Sequence, residues 1–575
     1  MKVLFATLLI VLGIALAVTR LSEPEMHAEV PIIYWVIDPA PVRAEHIRLF
    51  ELWQIKSGHC TEHRITSAAE LEAFRKRKWS PVIATAIREG NEHGAAVLDG
   101  KLPLASLPLT IRVPKTEMSL DASSNDMSKK IIQSVSGIAS DVMEVYSDGN
   151  VQFMASGGLV ADVTEEARRL GCGPDVTYPG MAASMMYEGR QYSFPRNPGT
   201  WMLWVNKETF ARYRQPLPPV RWGIEEFEQR GKAFMAAANP PGGRRTVFFA
   251  NFTSPFMLRR TFGLDVFNET MTRCILNDPR TARTYALMKK WKDVDHLFPT
   301  SVERAGFATE GGMRGGDGQL FLDGRFGMMM SGRYQLMQFR LFEQPMQLAV
   351  VEAPNGGIPC NIIGSGEATV YRGSKKLDLA TLFLAFYASE DYSMQIVRDG
   401  DGLPPIPKYT MTEEYLRPKE YPNEWGCHEV FAADAIHCAI SPSFSPFLQY
   451  NQVMQCEWTV SSAVDADRMT PEEGAREVED RINRKMAANL ADNPALKQKY
   501  DKVCAVQARI DAYRREGRPV PRPWVTNPYH QWLYEKNGWF EDLAEESPRL
   551  TGAPPIGGGT VDCRPAVESV GPCDS

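Results

Sequence analysis

The chain has 575 residues, a formal net charge of −6 and 44% hydrophobic residues. That length implies about four domain-sized units, and the apolar fraction is enough to build real cores. The acidic balance argues against a nucleic-acid partner, which leaves a basic footprint.

Residues 1–20 read MKVLFATLLIVLGIALAVTR: a short positive start at Lys2, an unbroken apolar run over 3–18, and a small-x-small site at Ala15-Leu16-Ala17. The run is short for a membrane span, which needs about 20 residues. Export to the periplasm or another extracytoplasmic space is therefore expected. Cleavage as a signal peptide and retention as an inner-membrane signal anchor both stay open, because Arg20 flanks the run as an anchor would require. The first cysteine is Cys60, so no lipidated cysteine follows the signal. Ten cysteines in an exported chain allow disulfides. Cys563 with Cys573 and Cys427 with Cys438 are local candidates, although sequence does not fix pairing.

A buried-type strand is expected over 30–38, VPIIYWVID, followed by a helix over 44–54. Ligands bind beyond the carboxyl end of such a strand in an open parallel sheet, which makes Trp35 and Asp38 site candidates. A core tryptophan and a helix-capping aspartate are the equal alternative. A helix over 67–77 and a strand-like 81–87 come next. Residues 89–127 are poorly patterned, with local pairing expected within 102–113. A helix over 126–134 precedes a strand that runs into Tyr146-Ser147-Asp148-Gly149. Gly157-Gly158 caps a short helix over 151–156. No GxxxxGK[ST] accompanies it, so it is not read as a phosphate loop.

Residues 192–210, YSFPRNPGTWMLWVNKETF, organise the rest. A strand stops at Pro195, and Arg196-Asn197-Pro198-Gly199 turns with two polar groups displayed. A second strand then carries Trp201 and Trp204, and Asn206-Lys207-Glu208 opens a helix. A strand that leaves one sheet and starts another carries a chain between two lobes, and ligands bind in the cleft that such hinges span. A buried hairpin within one domain is the alternative.

Beyond it, helices are expected over 224–237, 254–262 and 278–294, and strands over 246–251, 324–332 and 347–353. A mobile Gly-rich loop is expected at 305–318. Tyr334 begins a helix. Gly364-Ser365-Gly366-Glu367 marks a second crossing, followed by a helix over 377–389, a Pro-rich loop at 400–407 and a helix over 432–439. Residues 441–446 make a third crossing. Helices follow over 449–464 and 470–490, the latter opened by Thr470-Pro471-Glu472-Glu473. The composition shifts near 491: a charged helix over 497–515, a Pro- and aromatic-rich stretch over 519–540 suited to wrapping a surface, and a loose tail over 551–575.

In this order the elements resemble the bacterial extracellular solute-binding proteins of carbohydrate ABC importers, of the family 1 type. Asp141-Val142 through Gly158-Leu159-Val160-Ala161-Asp162-Val163-Thr164 is similar to that family's "PDV … G.L.dLt". Gly189-Arg190-Gln191-Tyr192-Ser193-Phe194-Pro195 with Val205-Asn206-Lys207 is similar to "G..y.lP … l.yNk", and Pro219-Val220-Arg221-Trp222 to "P.TW". Phe321-Leu322-Asp323-Gly324-Arg325-Phe326-Gly327-Met328 with Gly332-Arg333-Tyr334 resembles "F.nGk.AM...G.W". Gly356-Gly357, Ser374-Lys375 and residues 383–389 resemble "GG…SK…A..F..fl.s.e". The chain departs from the pattern in Tyr334, where tryptophan is usual, in the polar second crossing, in its cysteine count and in its long C-terminal extension.

The resemblance implies an α/β, two-lobe periplasmic-binding-protein fold of type II, with crossover hinge strands plus a C-terminal extension. The implied division is 1–20 signal, 30–195 and 367–440 the first lobe, 196–366 and 441–490 the second, and 491–575 the extension and tail. It implies a monomer that captures a sugar or oligosaccharide, delivers it to the permease subunits of an ABC importer, and needs no cofactor or metal. A sugar offers apolar ring faces and hydroxyl edges, which suit aromatic planes and paired polar groups. Strand-end positions with both chemistries are Trp35, Asp38, Tyr146, Asp148, Arg196, Asn197, Trp201, Tyr334 and Glu367. The resemblance suggests Trp458 as a stacking aromatic, and Trp425 in its Pro/Gly loop is a further candidate. Trp204 and Trp222 are expected in the core.

Two rival readings remain. A secreted carbohydrate-active hydrolase would need two carboxylates flanking the scissile bond, and no motif places such a pair. A metal- or other small-solute-binding protein could use Cys427-His428 and His437-Cys438, but the spacing matches no zinc pattern, and the adjacent tyrosine pair of ferric-ion binding proteins is missing.

Overall fold

The computed structural model describes residues 29–101, 108–121, 126–146, 150–252, 254–311 and 316–541. The N-terminal signal at 1–20, Asp148, the Cys563/Cys573 pair and the 551–575 tail lie outside the described residues.

Two sheets carry the molecule. The first has five strands in the order Glu117–Asp121, Ile32–Val36, Val142–Tyr146, Gly366–Val370, Ser193–Pro195. Ile32–Val36 pairs parallel with both neighbours, whereas Gly366–Val370 runs antiparallel to both of its own. The second has four strands in the order Phe248–Ala250, Phe326–Ser331, Met202–Asn206, Leu348–Val351. Each has its own core. Trp35, Phe50, Phe383 and Phe386 pack on the first sheet, and Trp204, Phe249, Trp291 and Phe339 on the second. The stretch 367–440 divides between them. Its helix Leu377–Tyr387 packs on the first sheet. Helix His428–His437 instead sets Phe431 against Trp204 in the second core, with ring centroids 5.2 Å apart.

Between the sheets the chain crosses three times. The crossing segments themselves form a small sheet in the order Ala439–Ile440, Asn361–Gly364, Gly199–Thr200. Chain passages this short, between two separately packed cores, are where a hinge concentrates its dihedral change.

Several local expectations are corrected. Residues 81–87 are not a strand but part of helix Pro81–Gly90: the Ser80 hydroxyl accepts from the Ile83 amide at 3.2 Å, and Pro81 occupies the first turn. Its Ile83, Ala86 and Ile87 fall on one buried face. Leu109–Pro114 does not pair locally but with Cys60–Ile65, fifty residues upstream at the Glu62–Arg112 pair. The Gly-rich 305–318 stretch contributes to helices Ser301–Gly311 and Asp317–Leu322.

The C-terminal extension is docked. Helix Pro471–Asp492 starts with a complete capping box between Thr470 and Glu473, and Pro494–Arg515 folds back on it. Asn527 then reaches the third crossing and the 265–268 turn, accepting from the Ser443 hydroxyl at 2.7 Å and donating to Asp265 at 2.9 Å. The Tyr529 hydroxyl donates to the Arg260 carbonyl at 2.7 Å. Among the described residues, no helix is long and apolar enough to cross a membrane.

Candidate functional site

All three crossings border one cleft of about 610 Å³, within the range of small-molecule sites. Tyr146 enters from the end of a first-sheet strand. Asn197 and Trp201 stand on the first crossing, Ser365 and Gly366 on the second, and Pro442 on the third. Tyr334 follows a second-sheet strand, and Tyr450 and Trp458 come from helix Tyr450–Asp465.

Each aromatic is held from behind. The Tyr146 hydroxyl donates to Asp38 Oδ2 at 2.8 Å; burial and that carboxylate both push the phenol's pKa up. The turn carrying Tyr334 is fixed because Trp204 Nε1 donates to the Gly332 carbonyl at 3.1 Å. Beside it, the buried Arg333 guanidinium donates to the Gly402 carbonyl at 2.6 Å and lies over the Tyr415 ring at 4.6 Å. Helix Tyr450–Asp465 is pinned to helix Pro255–Thr261 by a two-pronged pair, Arg259 Nη1 and Nη2 to Glu457 at 3.2 and 2.6 Å. The Trp201 backbone is held where its carbonyl accepts from Asn361 Nδ2 at 2.9 Å, yet Tyr146, Trp201, Tyr334 and Trp458 remain 41, 37, 40 and 65% exposed. Four large half-open rings around one concavity form an apolar surface awaiting a partner.

The charges are arranged differently. Glu457 is the one formally charged side chain among the described residues lining the cleft, and Arg259 neutralises it. Under the first crossing lies a buried cluster. Arg196 donates to Glu144 at 2.7 Å and to Asp401 at 2.8 Å, and Asn197 Nδ2 donates to the other oxygen of Asp401 at 2.9 Å. Burial alone would raise the Asp401 pKa; Arg196 and Arg43 outweigh it and hold it below the ordinary range. The cluster needs Gly366 above it, because a Cβ there would lie 2.3 Å from Glu144 Oε1 and 3.1 Å from Arg196 Nε.

The sequence-derived candidates therefore separate. Tyr146, Asn197, Trp201, Tyr334 and Trp458 come together at the cleft. Asp38 stands behind Tyr146. Trp35 does not face it: it is wholly buried in the first core, 4.9 Å from Phe383. Arg196 is removed from it by its two carboxylates. Glu367 is fully buried too, accepting from the Ser184 and Ser193 hydroxyls. Trp425 is exposed, but on a distant loop where its Nε1 donates to the Pro418 carbonyl at 3.1 Å. Asp148 lies outside the described residues. Sequence reasoning missed Tyr450, Phe256, Met257 and Glu457. Tyr450 opens the helix after the third crossing, and its place there was the available signal.

The local disulfide candidate is also corrected. Cys427 and Cys438 sit at opposite ends of helix His428–His437, about 16 Å apart at 1.5 Å per residue, far beyond the reach of a disulfide. The same separation keeps the Cys427-His428 and His437-Cys438 pairs apart. His428 is buried between Arg333 and Glu424, and burial lowers its pKa to about 4.

Residues 116–423 match the model of a family described as bacterial extracellular solute-binding protein. Solved structures share the fold. An ABC substrate-binding protein from Listeria monocytogenes in complex with cycloalternan is 16% identical, with 80% of this chain and 99% of that one covered and a TM-score of 0.59. The GacH receptor of Streptomyces glaucescens, solved unliganded and with acarbose, is 15% identical over 80% and 99%, with a TM-score of 0.54. The cyclic alpha-maltosyl-1,6-maltose binding protein from Arthrobacter globiformis is 14% identical over 80% and 99%, also at 0.54. No curated protein matches the chain in sequence. With the matching model spanning more than half its length, the chain belongs to the bacterial extracellular solute-binding protein family.

Proposed function

We propose that this protein captures a neutral sugar or short oligosaccharide between its lobes and hands it, unaltered, to the permease of an ABC importer. The observation that carries the reading is the cleft itself: half-open Tyr146, Trp201, Tyr334 and Trp458 around about 610 Å³, with its one described carboxylate neutralised. Aromatic planes cover sugar faces, and Asn197, Ser365 and the crossing-strand backbone offer donors and acceptors for hydroxyls. A charged ligand would find no opposite charge to replace its hydration. Solved relatives of the same fold bound to cycloalternan and acarbose support the substrate class.

Lobe closure about the three crossings would complete the site, with Trp201 on the hinge sensing both halves. Residues 1–20 would export the chain, as a cleaved signal or as a retained anchor, and the protein would act as a monomer. Titration calorimetry against mono- and oligosaccharides, with product analysis of the same mixtures, tests the proposal. Saturable binding with the sugar recovered intact is expected. Binding confined to peptides, polyamines or metals would overturn it, and conversion of the sugar would favour the hydrolase reading.

A further inference from the structure

The second and third crossings run parallel, with Asn361 opposite Ala439 and Ile362 opposite Ile440. The Asn361 amide donates to the Cys438 carbonyl at 3.2 Å. Continued one residue back, this register sets Cys360 beside Cys438. Adjacent strands lie about 4.7–4.9 Å apart, and a disulfide spans Cα separations of about 4.4–6.8 Å. Both cysteines, not bonded to each other in the structure, line the same small cavity, with Asp434, Asn361 and Glu352, and each is 9% exposed. Cys427 is excluded as a partner by the helix between it and Cys438, and Cys274 and Cys456 belong to a different core.

We propose that in the exported protein Cys360 and Cys438 are joined by a disulfide that staples the second crossing to the third. The inference rests on the extracytoplasmic location, because a cytosolic chain would be kept reduced. It goes beyond the binding reading by assigning a covalent modification to the hinge sheet.

The chemistry is an exchange with a disulfide-bearing dithiol oxidant. Cys438 is the attacking sulfur: Arg221, whose Nε donates to Glu352, also aims Nη2 at the Cys438 Sγ from 3.4 Å, so a donor already faces the sulfur that must carry charge in the exchange. Cys360 is the resolving sulfur, since burial pushes its thiol up to about 12. The Cys438 thiolate attacks one oxidant sulfur and forms a mixed disulfide, releasing the other oxidant sulfur as thiolate. Cys360 gives up its proton and attacks Cys438 Sγ, expelling the oxidant's remaining sulfur. The chain loses two electrons and two protons, and the oxidant leaves as a dithiol. The finished cavity of about 20 Å³ admits no more than a water, so the exchange takes place before the hinge sheet closes over it. The staple closes a long loop, which most constrains the unfolded chain. It also fixes the mutual register of two crossings while leaving both lobes able to turn about them.

The test uses the full chain secreted by an exporting host, denatured and alkylated without reductant, then digested and mapped. A linked peptide pair containing Cys360 and Cys438, labelled only after reduction, is expected. Reductant should lower the Tm by about 5 °C. A Cys360→Ala/Cys438→Ala variant should match the reduced protein and ignore reductant. Alkylation of both thiols without reductant, or linkage of either to any other cysteine, would overturn the proposal. Sugar binding is measured separately on the same samples, so a failed staple and a failed binding reading are told apart.

Discussion

Trp458 offers the sharpest separation of binding from folding. It projects from the solvent side of a well-packed helix and is 65% exposed. A tryptophan presents about 250 Å² when fully accessible, so about 160 Å² remains open. A sugar ring stacked on one face would cover about half of that, about 80 Å². At about 25 cal/mol per Å² this is about 2 kcal/mol, or about a thirtyfold weaker Kd in Trp458→Ala. The folded state should change by less than about 0.5 kcal/mol, because the ring leaves no cavity behind. Trp425→Ala is the internal control: it is also an exposed tryptophan, at 46%, but it lies outside the cleft and should leave Kd unchanged. Calorimetry with the best-bound saccharide, paired with ligand-free thermal melts, reads both quantities. A Trp458→Ala Kd within threefold of wild type, or equal losses in both variants, would refute the assignment of the cleft.

Trp35→Ala empties a fully buried site against Phe383 and should cost about 3–5 kcal/mol of stability, seen as a lower denaturation midpoint with Kd intact in the surviving folded fraction. Arg196→Ala strands Glu144 and Asp401 without their shared cation, and about 3–5 kcal/mol should be lost; a melt within 1 °C of wild type would contradict the pairing. Asp434 gives a pH signature. Burial first, then the Glu352 charge, raise its pKa to about 7, whereas in the unfolded chain it titrates near about 3.9. Folding therefore takes up a proton between those values, so this group's stability contribution is full below about pH 4 and falls as pH rises through about 7. Asp434→Asn keeps an oxygen to accept from Asn361 Nδ2, which lies 2.6 Å from Asp434 Oδ2. It should match wild type near pH 4 and exceed it by about 1–4 kcal/mol at pH 8; a difference independent of pH in chemical denaturation would rule the titration out.

Where one local rule speaks alone, the sequence is readable. The helix after Thr470 carries its capping box and proline in the first turn, and it forms as expected. Where two rules compete, the reading fails. Residues 81–87 look strand-like by composition, but Ser80-Pro81 is a helix start and the apolar residues fall on a helical face. Cys60–Ile65 alternates too weakly to announce itself, because four of its six residues are polar or charged and its partner lies far along the chain. The site divides in the same way. That aromatics and polar groups cluster at strand ends is a sequence fact. Which of them face the cleft is not, because Gly366–Val370 is buried along its whole length. A strand covered on both faces shows no alternation from which to assign Glu367 a side. Trp35 and Trp458 are chemically alike, and only the partners brought by distant segments make one a core residue and the other an open ring.

The distribution of charge and aromatic surface then explains how a two-lobed binder can be both rigid and responsive. The buried ions, Arg196 with Glu144 and Asp401 and Arg259 with Glu457, anchor the crossings and the helix beside the cleft. Separating a buried pair is expensive, so these contacts resist deformation and confine motion to the short strands between them. On the proposed reading the rings are divided across that hinge: Tyr146 ends a first-sheet strand, Tyr334 follows a second-sheet strand, Trp458 stands on helix Tyr450–Asp465 in a third core, and Trp201 stands on the first crossing. No single half holds the full set. A guest bound as proposed would gain its complete contact surface only when the halves approach, and that differential affinity is what a ligand needs to shift a two-state equilibrium toward a closed form. An empty cleft has no such gain and leaves its rings exposed to water.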